Sequence, residues 1–249
     1  MTPAAAERLL RSSLAFVWLA TGLLVVHPFY RAEGTRWLAP LGMGPWVMVA
    51  TCVAEIGLAI VILWRRTDLW MALVQTGPIL VFTAILAALD PMLLAHPYGA
   101  VTKNLPLIAA IWAAFLLERE GFSSRAVWIL RAGMAAPWIT EGLLPKILFQ
   151  QQLEIDVVMA LGLTAPAAHG LIRVTGVAQV IAGGLALVLR GRALAWLLGA
   201  ELAALVLLPL LVTATQPYMW AHPFGPLTKN VVIIAGTFVL WRRCTPTSS

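Results

Sequence analysis

Apolar residues occur along this chain in eight long runs, separated by short polar or charged segments. Within each run the apolar positions fall on all sides of a helix, whereas a soluble amphipathic helix carries them on one stripe. About 20 apolar residues are needed to cross about 30 Å of hydrocarbon, so each run is a candidate span. The runs are 8–28, 46–64, 69–89, 103–118, 126–148, 171–189, 193–213 and 229–242. The pattern predicts an all-α polytopic membrane protein with eight transmembrane helices.

The composition excludes several other classes of protein. Hydrophobic residues make up 61% of the chain and charged residues 11%, whereas a soluble domain carries about 25% charged residues and a disordered chain is more polar still. The two cysteines stand far apart, so they indicate neither a disulfide framework nor a cysteine zinc site. The net charge of +6 comes from basic residues scattered beside the apolar runs. Such residues flank membrane spans, and we expect no nucleic-acid partner.

The basic residues are distributed unequally between the two ends of the predicted spans. Eleven of the 17 fall at one set of ends, namely Arg8, Arg11, Arg65, Arg66, Arg119, Arg125, Arg131, Arg190, Arg192, Arg242 and Arg243. The other six are Arg31, Arg36, Lys103, Lys146, Arg173 and Lys229. Since positive charge favours the cytoplasmic side, the asymmetry predicts a multi-pass protein of the inner (plasma) membrane with both termini in the cytoplasm.

The chain contains an internal repeat. Residues 95–104 read AHPYGAVTKN and residues 221–230 read AHPFGPLTKN. The same offset aligns Trp70 with Trp196, and slightly smaller offsets align Glu55 with Gln179 and Trp18 with Trp138. Each repeat therefore holds four predicted spans, in residues 1–120 and 121–249. Because four is even, both repeats have the same orientation, which predicts two parallel four-helix bundles.

The repeat unit resembles the DoxX-like family of integral membrane proteins. The resemblance rests on the first helix, where residues 11–22 follow the pattern RxxLAxxWLxxG, on the polar residue in the second helix, and on the HPxGxxTKN segment before the fourth. The stretch WITEGLLPK at 138–146 adds to it. The family is similar to small subunits associated with quinone-linked redox complexes. The resemblance thus implies a quinone as a possible ligand and a membrane or redox protein as a possible partner, besides the lipid bilayer.

The HPxGxxTKN segments place the same polar residues at the outer side of both repeats. These candidate ligand-binding residues are His96, Lys103, Asn104, His222, Lys229 and Asn230. The following helices have room for only about 24 and 21 Å at 1.5 Å per residue, so we expect each segment to dip into the outer leaflet. We expect Gly99 and Gly225 to form the bend, and the lysines to face outward-opening polar space. The segments either bind an anionic or quinone-like headgroup, or they only satisfy loop carbonyls and lipid phosphates.

Ionisable and amide side chains also lie deep inside the predicted spans. Glu55 and Gln75 occupy neighbouring helices of the first repeat, and Gln179 and Glu201 occupy the corresponding helices of the second. Intramembrane acids suggest a function by default, such as a proton relay or a polar pocket. The structural alternative is that each Glu–Gln pair forms an interhelical hydrogen bond and holds two helices in register.

Glu141 is an acid that the second repeat adds, because it stands where the first repeat has Thr21. It is the favoured catalytic candidate, together with Glu55 and Glu201. Lys146 lies five residues further along and so off its helix face, which argues against a direct pair. No two histidines have ligand spacing on a helix, so we expect no metal site; the alternative is a haem or metal site assembled from different loops. The function that these residues favour is a membrane subunit of a redox system with an outer-leaflet polar pocket. The alternatives are a small-molecule carrier or a non-catalytic scaffold.

Overall fold

The computed structural model of this protein describes residues 1–245 and is helical throughout. In these residues the α-helices are α1 (Pro3–Leu23), α2 (Pro28–Leu38), α3 (Pro45–Trp64), α4 (Leu69–Leu89), α5 (Asn104–Glu120), α6 (Ser124–Gly142), α7 (Gln152–Met159), α8 (Ala165–Val188), α9 (Gly191–Thr215) and α10 (Asn230–Cys244). A π-helical turn, Leu143–Leu148, extends α6. Each of the eight predicted spans corresponds to one helix, and the two additional helices, α2 and α7, are short. The all-helical fold class is confirmed.

Local sequence signals explain where several helices begin. The Asp68 carboxylate accepts a hydrogen bond from the Met71 backbone N–H at 2.8 Å and caps α4. The Ser123 hydroxyl accepts one from the Ala126 N–H at 3.2 Å and caps α6. Helix α3 begins with Pro45, whose missing N–H costs nothing in a first turn. Such caps satisfy backbone donors that a helix leaves unpaired at its start.

The first and last long helices of each repeat form the centre of the molecule. Helices α1 and α5 come from the first repeat, α6 and α10 come from the second, and these four pack against one another. Their small buried residues, among them Ala110, Ala113 and Ala114 on α5, let the backbones approach closely. Helices α3 and α8 pack on the outside of α1 and α6, and α4 and α9 pack on α5 and α10. Corresponding helices thus make corresponding contacts.

Two arginines at corresponding positions bond to the C-terminal ends of α3 and α8. The Arg11 guanidinium donates to the carbonyls of Ile62, Leu63 and Arg65 at 2.8–3.2 Å. Arg131, 120 residues further along, donates to the carbonyls of Ala186 and Leu189. The last carbonyls of a helix lack intrahelical partners, and an arginine fork satisfies several of them at once.

Each repeat is more open than the predicted four-helix bundle. Although residues 65–68 form a tight connection, α3 and α4 do not pack along each other, and α8 and α9 pack only to a small extent. Within residues 1–245, five segments are long and apolar enough to cross a membrane by themselves: Pro3–Val26, α3, α4, α8 and α9. Helices α5 and α10 have 17 and 15 residues. The gaps between α3 and α4 and between α8 and α9 leave space for the two cavities described next.

Candidate functional site

The first repeat encloses a cavity of about 350 Å³, which we call the first cavity. Its wall is mostly apolar and includes Trp18, Trp37, Ile79 and Phe82. Its polar lining consists of Thr21, Tyr30, Thr51, Cys52, Glu55, Asn104 and Lys229. Of these, Lys229 belongs to the second repeat, so the first cavity is completed by the other half of the molecule.

The second repeat encloses a corresponding second cavity of about 250 Å³. Its apolar wall includes Trp138, Leu205 and Leu208, which align with Trp18, Ile79 and Phe82. Its polar lining consists of Tyr98, Lys103, Glu141, Lys146, Glu154, Thr175, Gln179 and Asn230. Tyr98 and Lys103 belong to the first repeat, so each cavity includes at least one polar residue of the other repeat.

Both cavities extend to the sides of the helices that face away from the centre of the molecule. Phe82 on α4 and Leu208 on α9 line the cavities and are also exposed, at 41% and 44% of their surface. These residues lie on helices that separate from their neighbours α3 and α8. In a bilayer this surface contacts lipid chains, so an apolar molecule has a lateral route into each cavity.

The two HPxGxxTKN segments meet between the repeats. Gly99 and Gly225 adopt φ values of +66° and +54°, and the helices begin only at Asn104 and Asn230. The predicted non-helical bend at both glycines is therefore confirmed, and it needs glycine because a Cβ disfavours this conformation. The imidazole rings of His96 and His222 are half-buried, with centroids 5.7 Å apart.

Hydrogen bonds orient the two histidines. The His96 Nδ1 accepts from the Tyr98 backbone N–H at 3.2 Å, and the His222 Nδ1 accepts from the Phe224 N–H at 3.4 Å. This arrangement places the proton of each neutral ring on Nε2. Burial, aided by the second imidazole and the nearby lysines, lowers the pKa of His96 to about 3. Burial and Lys229 lower the pKa of His222 to about 4. Both rings are neutral at physiological pH.

The lysine of each HPxGxxTKN segment bonds to the backbone of the other segment. The Lys103 Nζ donates to the Pro226 carbonyl at 2.9 Å, and the Lys229 Nζ donates to the Ala100 carbonyl at 2.9 Å. Both side chains are buried. The expectation that they face open polar space is wrong, because each lysine crosses the boundary and bonds to the backbone of the other segment.

Four side chains of alternating charge line the second cavity, in the order Lys103, Glu141, Lys146 and Glu154. The Lys103 Nζ lies 3.7 Å from a Glu141 carboxylate oxygen, and the Lys146 Nζ lies 3.0 Å from a Glu154 oxygen. The Lys146 Nζ also donates to the Glu141 backbone carbonyl at 3.3 Å. The π-helical turn places Lys146 here, and its ion-pair partner is Glu154 rather than the Glu141 carboxylate. Burial raises the pKa of Glu154, and the adjacent Lys146 opposes that shift.

The expected Glu–Gln pairs are absent from the described residues. Glu55 and Gln179 face the first and second cavities, whereas the Gln75 amide donates to the Met71 carbonyl of its own helix at 3.1 Å. Neither carboxylate oxygen of the buried Glu201 has a partner within residues 1–245. The pairing prediction fails because it assumed that consecutive helices pack along their length, whereas the gap between them is occupied by the cavity.

Of the sequence-predicted residues, the structure thus gathers nine around the cavities and the repeat boundary: Glu55, His96, Lys103, Asn104, Glu141, Gln179, His222, Lys229 and Asn230. Gln75 and Glu201 lie outside both cavities. Tyr98 and Glu154 were not predicted from the sequence. Tyr98 reaches the second cavity only because one repeat packs against the other, and Glu154 reaches Lys146 only because of the turn after α6. In the part of the chain that the structure describes, no group of three His, Cys, Asp or Glu side chains could hold a metal ion.

The fold and the cavities define a helical membrane protein built from two tandem units. Comparison with protein families agrees with this class: the DoxX-like family matches the chain twice, over residues 15–112 and 135–238. The chain therefore belongs to the DoxX-like family, as two consecutive units. No curated protein and no solved structure matches it.

Proposed function

We propose that this protein is a membrane subunit of a quinone-linked or other redox system, and that its two cavities bind a lipid-soluble ligand, with a quinone as the favoured class. The observation that carries the proposal is the construction of the cavities. Each has an apolar wall that extends to the lipid-facing surface, and each ends at a buried asparagine and a lysine from the other repeat. Such a site suits an amphipathic molecule with a small polar ring and an apolar tail.

The polar end of the first cavity supplies hydrogen-bond donors for a ring carbonyl. Lys229 uses one ammonium hydrogen on the Ala100 carbonyl and retains two others. The Asn104 amide donates to the Thr83 hydroxyl at 2.8 Å and retains one further hydrogen. The apolar tail would leave between α3 and α4, beside Phe82. In this arrangement a partner protein supplies or takes the electrons, and this chain holds and orients the ligand.

The proposal includes a location in the inner (plasma) membrane with eight spans and both termini in the cytoplasm. Arg11 and Arg131, which bond to the C-terminal ends of α3 and α8, lie at the predicted inner ends, and α10 ends with Arg242 and Arg243. Helices α5 and α10 are short, and the HPxGxxTKN segments would complete their crossing. Buried in protein, these non-helical segments can lie below the membrane surface.

Quinone binding by the full-length protein in mild detergent tests the proposal. A short-chain quinone is titrated, binding is followed by quenching of tryptophan fluorescence, and the purified protein is extracted and assayed for bound quinone. We expect Val47→Phe, which fills the first cavity, to abolish quinone binding at that cavity and so to lower the amount of quinone bound at saturation, and Val49→Phe on the lipid-exposed side of the same helix to leave that amount unchanged. Equal binding by the two variants, or no binding by the native protein, would overturn the proposal. Ligand uptake into liposomes would instead favour the carrier alternative.

A further inference from the structure

The two cavities differ in chemistry although the same repeat unit builds both. Glu141 and Lys146 of the second repeat stand where the first repeat has Thr21 and Val26. Glu154 on α7 adds another acidic side chain to the second cavity. Since a duplicated unit begins with two equal cavities, these substitutions indicate that the second cavity accommodates a different polar group.

The charges of the second cavity cancel. Its lining contains two lysines, Lys103 and Lys146, and two acids, Glu141 and Glu154, and each acid lies within 4 Å of a lysine. A charged ligand would leave one buried charge without a counter-ion, which is costly in a medium of low dielectric constant. The arrangement therefore favours an electrically neutral ligand.

The unpaired atoms of this cavity are mainly hydrogen-bond acceptors. Within residues 1–245 the Glu141 Oε1, the Glu154 Oε2, the Gln179 Oε1 and the Asn230 Oδ1 have no partner. Gln179 and Asn230 are more than nine-tenths buried. The Trp138 Nε1–H, one helical turn before Glu141, is a buried donor without a partner. In the first cavity, the Glu55 Oε2 is the only buried polar side-chain atom without a partner within residues 1–245.

We propose that the second cavity binds a neutral ring that carries hydroxyl groups, and that it prefers this ligand to one with only acceptor oxygens. A hydroxyl group donates one hydrogen bond and accepts others, so it can donate to Glu141 or Glu154 and accept from Trp138. Hydrogen bonds to a carboxylate are stronger than those between neutral groups. The proposal rests on the proposed function in that it takes the cavities as ligand sites, but it assigns the second cavity a separate ligand chemistry.

Two probes that share the same tetramethyl-substituted ring test this inference. Tetramethylhydroquinone carries two hydroxyl groups, and its dimethyl ether carries only acceptor oxygens. Binding of each to the full-length protein in detergent is measured by equilibrium dialysis, with a reductant present and with partition into protein-free micelles subtracted. We expect the hydroxyl probe to bind at least tenfold more tightly. Thr175→Phe, which fills the second cavity, should abolish the preference, and Val174→Phe on the exposed side of α8 should preserve it.

The carboxylates are tested separately. Glu141→Gln and Glu154→Gln each replace two acceptor oxygens by one, so each should reduce the preference for the hydroxyl probe several-fold in protein that elutes as the native species. Equal affinity for the two probes, a preference that survives both substitutions, or no binding of either probe would overturn the inference. The proposed function has its own readout, the loss of quinone binding in Val47→Phe, so it can fail or hold independently.

Discussion

Replacing Lys103 by methionine should destabilise the protein through two separate losses. Methionine keeps much of the apolar stem, but it leaves the Pro226 carbonyl without its 2.9 Å hydrogen bond and Glu141 without its 3.7 Å counter-ion. Removing one partner of a buried ion pair costs about 3–5 kcal/mol. An orphaned buried acceptor costs about 1–3 kcal/mol. Because the pair is long and Lys146 remains close to Glu141, we expect a total near the lower end of the two ranges combined, about 4 kcal/mol.

A double-mutant cycle with Glu141→Thr, which restores the residue type of the first repeat, separates the two losses. The free energy of unfolding is measured in mixed micelles by titration with a denaturing detergent. If the ion pair matters, Lys103→Met and Glu141→Thr together should cost less than the sum of the single changes, by about 1–3 kcal/mol. The matched control combines Glu141→Thr with Lys229→Met, since Lys229 occupies the corresponding position but bonds to Ala100. Additive effects in the first cycle, or equal coupling in both cycles, would refute the reasoning.

Three further predictions concern the segments between the helices. Gly99→Ala should lower the free energy of unfolding by at least about 1–2 kcal/mol, because φ is +66° and the new Cβ would meet Glu141. The control is Gly77→Ala on α4, which should not destabilise the protein because nothing lies within 4 Å of the new Cβ. Equal melting temperatures of the two variants would contradict this prediction. The protein should lose stability as the pH falls below 6.5, because the unfolded chain then binds protons on His96 and His222 that the folded chain, with its lowered pKa values, does not bind. By pH 5 the loss is about 1–2 kcal/mol per ring. The double variant His96→Gln, His222→Gln should therefore show a melting temperature that depends less on pH. In a cysteine-free background, an impermeant thiol reagent applied to intact cells should label Met43→Cys and Leu161→Cys but spare Arg66→Cys and Ser124→Cys, and the reverse pattern would invert the proposed orientation.

Much of the helical organisation could be predicted because membrane spans depend on local composition. The apolar runs 46–64 and 69–89 became α3 (Pro45–Trp64) and α4 (Leu69–Leu89) within one residue at each end. Proline, aspartate and the charged residues mark those ends by local physical rules. The repeat was visible because residues 95–104 and 221–230 are closely similar, and both copies form the same bend at their glycine.

The contacts of the polar side chains could be predicted much less well. Glu55 and Gln75 lie at similar depth on consecutive helices, and a hydrogen bond between them was a reasonable expectation. The structure separates them because α3 packs on α1 while α4 packs on α5, and the space between them is the first cavity. Which helices pack against each other depends on the shapes of the side chains along their whole length. The positions of the polar residues do not predict this.

The class of protein, the helices of the eight apolar runs, the tandem repeat and the bends at Gly99 and Gly225 could all be inferred from the amino-acid sequence, because each depends on residues that are close together in the chain. The bonds from Lys103 to Pro226 and from Lys229 to Ala100 join residues 123 and 129 positions apart, and they depend on how the helices pack. Those contacts exist because packing α1, α5, α6 and α10 together brings the two segments face to face, where buried ammonium groups bond to the nearest backbone carbonyls. The same packing makes each cavity depend on the other repeat.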